Sequence, residues 1–156
     1  VITRALPDAA ATAALGEALG AEVTPDTVLL LCGEMGAGKT TFVRALARGL
    51  GCPGRVTSPT FVLSQRHEGG RLPLVHADAW RLTSADDLRS LELDEAAAGG
   101  VLALEWGDRF PEAAPAEHLV VTFGVVDEGR TVIFAAVGAT HARWEAWLAA
   151  RIPDHG

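Results

Sequence analysis

"VLLLCGEMGAGKTTFVRALARGLG", residues 28–51, changes character twice along its length. Val28 to Cys32 is an apolar run too short for a helix and reads as a buried strand. Gly33 to Thr40 is a glycine-rich loop. From Thr41 to Leu50 the apolar residues Phe42, Val43, Leu46 and Leu50 recur at the spacing of one helix face, closed by Gly51 and Pro53. The order strand, glycine loop, helix predicts an α/β fold. The loop also holds Lys39, the one lysine in a chain of 156 residues that carries twelve arginines. A lysine kept at a single place implies a task that a guanidinium cannot perform there.

Gly33-Glu34-Met35-Gly36-Ala37-Gly38-Lys39-Thr40 fits G-x-x-x-x-G-K-[ST] at every fixed position, with the strand before it and the helix after it that this motif requires. Glycines let the backbone wrap closely, so that N–H groups point at phosphate oxygens while the helix N-terminus adds partial positive charge. The expected phosphate cradle is therefore Gly36, Ala37, Gly38, Lys39, Thr40 and Thr41. Lys39 supplies a compact ammonium for the β- and γ-phosphates. Thr40 places a hydroxyl where Mg²⁺ would be held, and Thr41 could donate to the α-phosphate. Either threonine could instead cap the helix.

Around this unit, Asp8 to Leu19 reads as a helix, with Asp8 as N-cap and Gly20 as stop. Thr60 to His67 and Leu72 to Ala77 flank a Glu-Gly-Gly-Arg turn and predict an antiparallel hairpin. Thr83 or Ser84 caps a short helix through Leu91, and Asp94 to Ala98 forms another. Val101 to Leu104 is a second short buried strand. Leu119 to Val125 and Thr131 to Val137, around Asp127 to Arg130, form a second hairpin, and a helix carrying Trp144, Trp147, Leu148 and Arg151 starts at Thr140. No repeat or linker divides the chain. It reads as one domain over residues 1–156, with a central sheet of mixed direction.

A hydrophobic content of 49% and a charged content of 21% are those of an ordinary globular protein. No apolar run approaches the ~18 residues of a membrane span, and the start lacks a signal-type segment, so the expected address is cytoplasmic. A net charge of −7 opposes independent binding to a phosphate backbone. Any nucleic acid would be held by a partner. Cys32 and Cys52 read as structural or incidental.

A Mg-nucleotide site also needs a carboxylate at a neighbouring strand end. Asp78, after "LPLVHA", and Glu105, after "VLAL", have that placement, whereas Glu34 sits in the loop itself. Asp86, Asp87, Glu92, Asp94 and Glu95 read as solvated helical faces. His76 could accept a proton or serve as a hydrogen-bonded structural residue, and Arg81 could face phosphate, Asp78 or a surface partner. "VTSPTFVL", residues 56–63, lies where nucleotide-sensing segments occur, with Ser58 or Thr60 as the sensor or Pro59 as a plain turn. Without asparagine or a second lysine the chain has no usual guanine reader, so adenine is the expected base. No arginine-dense lid marks a kinase, which leaves water as the expected acceptor.

Four ordered blocks, "GEMGAGKTTFVRALARGLG", "VTSPTFVLSQRH", "HADAWRL" and "LALEWGDRF", resemble the TsaE family of bacterial tRNA threonylcarbamoyladenosine biosynthesis. The resemblance implies a three-layer P-loop NTPase-like fold and an ATPase, weak alone, that supports TsaD and TsaB. tRNA would be met only through that complex. It also implies Asp78 as catalytic aspartate, Lys39 and the loop on the phosphates, Thr40 and Glu105 as Mg²⁺ ligands, and Arg130 as a nucleotide contact. Trp80 departs from the tyrosine usual after H-x-D-x, keeping the aromatic body without its hydroxyl. Two other readings of the same residues are a nucleotide-dependent interaction switch without essential turnover and a small-molecule kinase.

Overall fold

The computed structural model describes residues 1–34, 36–54, 64–127 and 129–154. The strands are β1 (Ile2–Leu6), β2 (Thr27–Gly33), β3 (Ser64–His67), β4 (Leu74–Asp78), β5 (Val101–Glu105), β6 (His118–Val126) and β7 (Gly129–Val137). The helices are α1 (Ala9–Glu22), α2 (Lys39–Leu50), α3 (Ala85–Ser90), α4 (Leu93–Ala96) and α5 (Arg143–Arg151). One seven-stranded sheet has the order β1-β7-β6-β2-β5-β4-β3. β2 runs parallel to both β5 and β6, and β4 parallel to β5, while β1, β7 and β3 pair antiparallel to their neighbours. The sheet is therefore mixed, as the sequence predicts.

Alternation along the central strands divides the core into two layers. Leu29, Leu31, Val101 and Ala103 pack with Leu15 and Leu19 of α1, Phe42 and Leu46 of α2, and Trp144 and Leu148 of α5. Leu30, Val75, Leu102 and Leu104 face the other way, onto Leu88 of α3 and Leu93 of α4. Because both faces of β2 and β5 are covered, their sequences read as unbroken apolar runs.

α1 and α2 meet through glycine. A Cβ at Gly20 would lie 2.3 Å from the Leu46 carbonyl oxygen, and one at Gly49 would lie 2.1 Å from that of Glu17. Gly20 is thus not the expected stop. The helix runs on to Glu22 and closes where the Val23 N–H donates to the Leu19 carbonyl, because Gly20 is there for close approach. Asp8 is the N-cap, accepting from the Ala11 N–H, and Gly51 closes α2 with φ of 80°. The second hairpin is longer and tighter than expected. β1 gave no recognisable signal, since five residues with exposed Thr3 and Ala5 pair with β7 only through tertiary contact. Residues 60–63 of the predicted first hairpin lie outside the described residues, and α5 begins at Arg143 after a 3₁₀ turn over Ala139–His141. Among the described residues no helix is long and apolar enough to cross a membrane. Cys32 and Cys52 are both buried and free, and burial first, with Asp108 nearby, pushes the Cys32 thiol up to about 12.

His141 is a buried capping device at the start of β2. Its Nε2 accepts the Val28 N–H at 2.9 Å, and Nδ1 lies 2.9 Å from Thr140 Oγ1. An Nε2 that accepts carries no proton, so the ring is neutral. Burial pushes its pKa down, reinforced by His118 and Arg143 and opposed by Glu117. In the unfolded chain the ring titrates near about 6.5. The stability it contributes is therefore complete above that value and is lost as pH falls towards the depressed folded one. Substitution His141→Leu, which orphans the Val28 N–H, is expected to cost about 1–3 kcal/mol at pH 7.5. The gap to wild type in denaturant titrations should narrow at pH 5.5.

Candidate functional site

The chemistry gathers at the C-terminal ends of three parallel strands. Register places Leu31, Glu105 and Asp78 side by side on β2, β5 and β4. Two hydrogen bonds hold the strand ends level, from the Ala79 N–H to the Glu105 carbonyl at 3.0 Å and from the Trp106 N–H to the Leu31 carbonyl at 2.9 Å. β2 leads into the loop at Gly33 (φ 122°), where a Cβ would meet the Phe123 carbonyl oxygen at 2.2 Å. The loop ends at Gly38 (φ 121°), the N-cap of α2. No side chain caps this helix, so neither Thr40 nor Thr41 is spent on that role. The first intrahelical bond is Phe42 N–H to the Gly38 carbonyl, which leaves the amides of Lys39, Thr40 and Thr41 at the helix mouth without intrahelical acceptors.

Lys39 is buried, with 5% of its surface exposed. Its ammonium donates to the Gly33 carbonyl at 2.5 Å and lies 3.6 Å from the centre of the Trp106 ring. Among the described residues no carboxylate stands within ion-pair distance of Nζ. Burial lowers its pKa, while Glu105 and Asp78 oppose that shift from further off. A buried ammonium with one carbonyl and an indole face for company has unmet capacity for anionic oxygen.

A cleft of about 280 Å³ is lined by Gly36, Gly38, Lys39, Thr40, Thr41, Asp78, Glu105 and Trp106. Every site residue expected from the sequence, apart from Ala37 and Arg130, lines this one space. Across the loop, a second cleft of about 260 Å³ shares Gly36, Gly38 and Thr41 and adds Ala37, Arg130, Pro7, Asp8 and Thr12. The two clefts adjoin at the loop and at Thr41. Phosphates beside Lys39 would put the remainder of a nucleotide in the second cleft, against Arg130.

The two carboxylates are held differently. Asp78 accepts the Trp80 N–H at 2.8 Å, and burial pushes its pKa up, with the Trp80 amide opposing and Glu105 adding to the rise. Glu105 is buried and meets His76 Nε2 at 2.5 Å. His76 is thus hydrogen-bonded, one of its two expected roles. Arg81 is exposed in the turn after Trp80. Ser58, Pro59 and Thr60, the proposed sensing segment, lie outside the described residues.

Trp106, which ends the Glu-Trp pair of the fourth block, roofs Lys39. It has a left-handed backbone (φ 59°), an uncommon conformation for a bulky residue and one that clusters at functional sites. Its ring contacts Trp80 at 4.6 Å between centroids, and Trp80 is half exposed. Arg109, which no motif singled out, donates to the Ala79 and Trp80 carbonyls and lies 5.7 Å from the Trp80 ring. Only tertiary proximity brings it there, three residues beyond the Glu-Trp pair.

The chain fits a Mg-nucleotide on its own geometry. The glycine loop leaves open space at Gly36, the helix mouth presents free amides, and hydroxyl and carboxylate oxygens suit a hard divalent cation. Residues 6–132 match the family model described as threonylcarbamoyl adenosine biosynthesis protein TsaE. The chain is 38% identical over 138 residues to a Streptomyces coelicolor protein named tRNA threonylcarbamoyladenosine biosynthesis protein TsaE, spanning 83% of this chain and 91% of that one. A Bacillus subtilis protein of the same name is 40% identical over 129 residues, 81% and 80% of the two chains. A crystal structure of Bacillus subtilis YdiB superposes with a TM-score of 0.77 at 29% identity, covering 96% of this chain and 94% of that one.

Proposed function

Since the chain belongs to the TsaE family of tRNA threonylcarbamoyladenosine biosynthesis proteins, we propose that it binds and hydrolyses ATP, with Mg²⁺, in support of that modification. One observation carries this reading. The only lysine of the chain is buried at a helix mouth, with no carboxylate in ion-pair reach among the described residues, in a cleft that also contains two strand-end carboxylates and the hydroxyls of Thr40 and Thr41.

Lys39 and the amides at the start of α2 would hold the phosphates and stabilise charge that develops on the leaving oxygen. Thr41 and Arg130 would orient the nucleotide across the loop. Thr40 and Glu105 would hold Mg²⁺, which when bound neutralises charge on the β- and γ-phosphate oxygens. Asp78 is suited to meet the attacking water: its carboxylate is oriented by the Trp80 amide, and its raised pKa favours taking up a proton. The new bond joins the water oxygen to the γ-phosphorus, and the bond to the β–γ bridging oxygen breaks. Catalysis of this kind is mostly positioning and charge stabilisation.

TsaD and TsaB are the proposed partners, and tRNA is reached through them. The whole chain, 1–156, acts as a single ATPase domain, and its net charge of −7 favours a partner that supplies the basic surface. The test is ATP hydrolysis by the protein alone and with TsaB–TsaD and tRNA. Slow turnover alone, rising when the partners are added, is the expected result. Fast turnover indifferent to the partners would refute the coupling, and transfer of the γ-phosphate to an acceptor other than water would make the protein a kinase.

A further inference from the structure

His76 sits at the centre of β4, directly opposite Gln65 of β3 on one side and Ala103 of β5 on the other. The small side chain of Ala103 leaves room for the imidazole to lean along the sheet to Glu105, two residues further on and on the same face. Both partners are deeply buried, His76 completely and Glu105 with 4% of its surface exposed. The contact, Nε2 to Oε2 at 2.5 Å, is the only hydrogen bond to the Glu105 carboxylate among the described residues, and the same residue lines the phosphate cleft.

Hydrogen-bond accounting decides which atom carries the proton. Nδ1 of His76 is buried and has no partner among the described residues. A proton on Nδ1 of a neutral ring would leave a buried donor unmet and would require Glu105 to be the protonated donor to Nε2. A proton on Nε2 leaves only an unused lone pair, a smaller penalty than an orphaned donor, and keeps Glu105 an ionised acceptor.

On the Mg-nucleotide reading above, we propose that His76 is the positioning residue for Glu105. Its Nε2–H holds Oε2 so that the carboxylate is presented to the metal ion in one orientation. Carboxylate ligands to metals are commonly fixed by such outer partners, and their loss costs about 10–100-fold in metal affinity or activity. The imidazole does this with a neutral donor, which avoids burying a second full charge beside the carboxylate.

The test uses Mn²⁺ as a spectroscopic probe by electron paramagnetic resonance, with a non-hydrolysable ATP analogue, on wild type, His76→Leu and His76→Gln. The glutamine amide reaches the place of Nε2 and restores a donor. His76→Leu should weaken Mn²⁺ binding about tenfold or more, while metal-free analogue binding changes little. His76→Gln should recover most of the loss. Wild-type Mn²⁺ affinity in His76→Leu, or a glutamine variant as poor as the leucine one, overturns the proposal. Nitrogen-15 spectra of the wild-type imidazole should show Nε2 protonated, and a proton on Nδ1 with Nε2 bare would also overturn it. If wild-type protein with the analogue takes up no Mn²⁺, the Mg-nucleotide reading itself falls, an outcome distinct from failure of the variants alone.

Discussion

A Lys39→Ala variant is expected to lose on the order of 10³-fold in kcat/KM for ATP while remaining folded. That factor is about 4 kcal/mol, the sum of two charge-assisted hydrogen bonds at roughly 1.5–3 kcal/mol each. The fold should not suffer, because burial already disfavours the ammonium: its pKa is lowered, and among the described residues it meets one carbonyl and one indole face. Lys39→Met, which keeps the aliphatic stem, should unfold at a temperature equal to or above wild type. Arginine at this position should rescue little, since a planar guanidinium does not fit the space of a slender ammonium. Calorimetric ATP binding checks the affinity and thermal unfolding checks the fold. Undiminished ATP binding by Lys39→Ala would remove the site assignment.

Glu105→Gln should lower turnover by about 10²–10³-fold, the range seen when one electrostatic stabiliser of a transition state is removed, while the nucleotide still binds in the absence of metal. The amide oxygen can still accept from His76 Nε2, so the buried hydrogen bond survives and the loss reports on charge. Asp78→Asn should behave similarly for turnover. Its effect on stability should be neutral or favourable, because burial raises the Asp78 pKa and so disfavours the ionised form in the folded state. Single-turnover hydrolysis and nucleotide binding separate the two effects. If either variant bound ATP without turnover yet supported tRNA modification through many cycles, the protein would be a nucleotide-dependent switch.

The glycine-loop half of this candidate site was legible because its residues are local in sequence. Gly33 to Thr40 lies on one continuous stretch between a strand and a helix, and each position has a reason visible in sequence. Asp78 and Glu105 were legible for a related cause: both end apolar runs, and parallel strands of a buried sheet release their side chains at a common edge. What escaped depends on contacts between distant segments. β1 is defined by its pairing with β7, Gly20 by α2 lying against it, and Arg109 by carbonyls of the turn after β4. The link between His76 and Glu105 spans 29 residues and follows from strand register, with a small residue at Ala103, rather than from any motif.

The glycine contact between α1 and α2 has a mechanical consequence. Asp8 and Thr12, at the start of α1, line the cleft that holds Arg130, and Thr41, at the start of α2, lines both clefts. Backbone touching backbone at Gly20 and Gly49 gives these helices a spacing that no change of rotamer can alter. That side of the cleft is a fixed jaw. The opposing side is built from Asp78, the last residue of β4, and Trp106, just beyond β5, with the ring of Trp80 stacked on that of Trp106. On the proposed reading, adjustment around a nucleotide would fall to side chains of that second jaw, the half-exposed Trp80 among them.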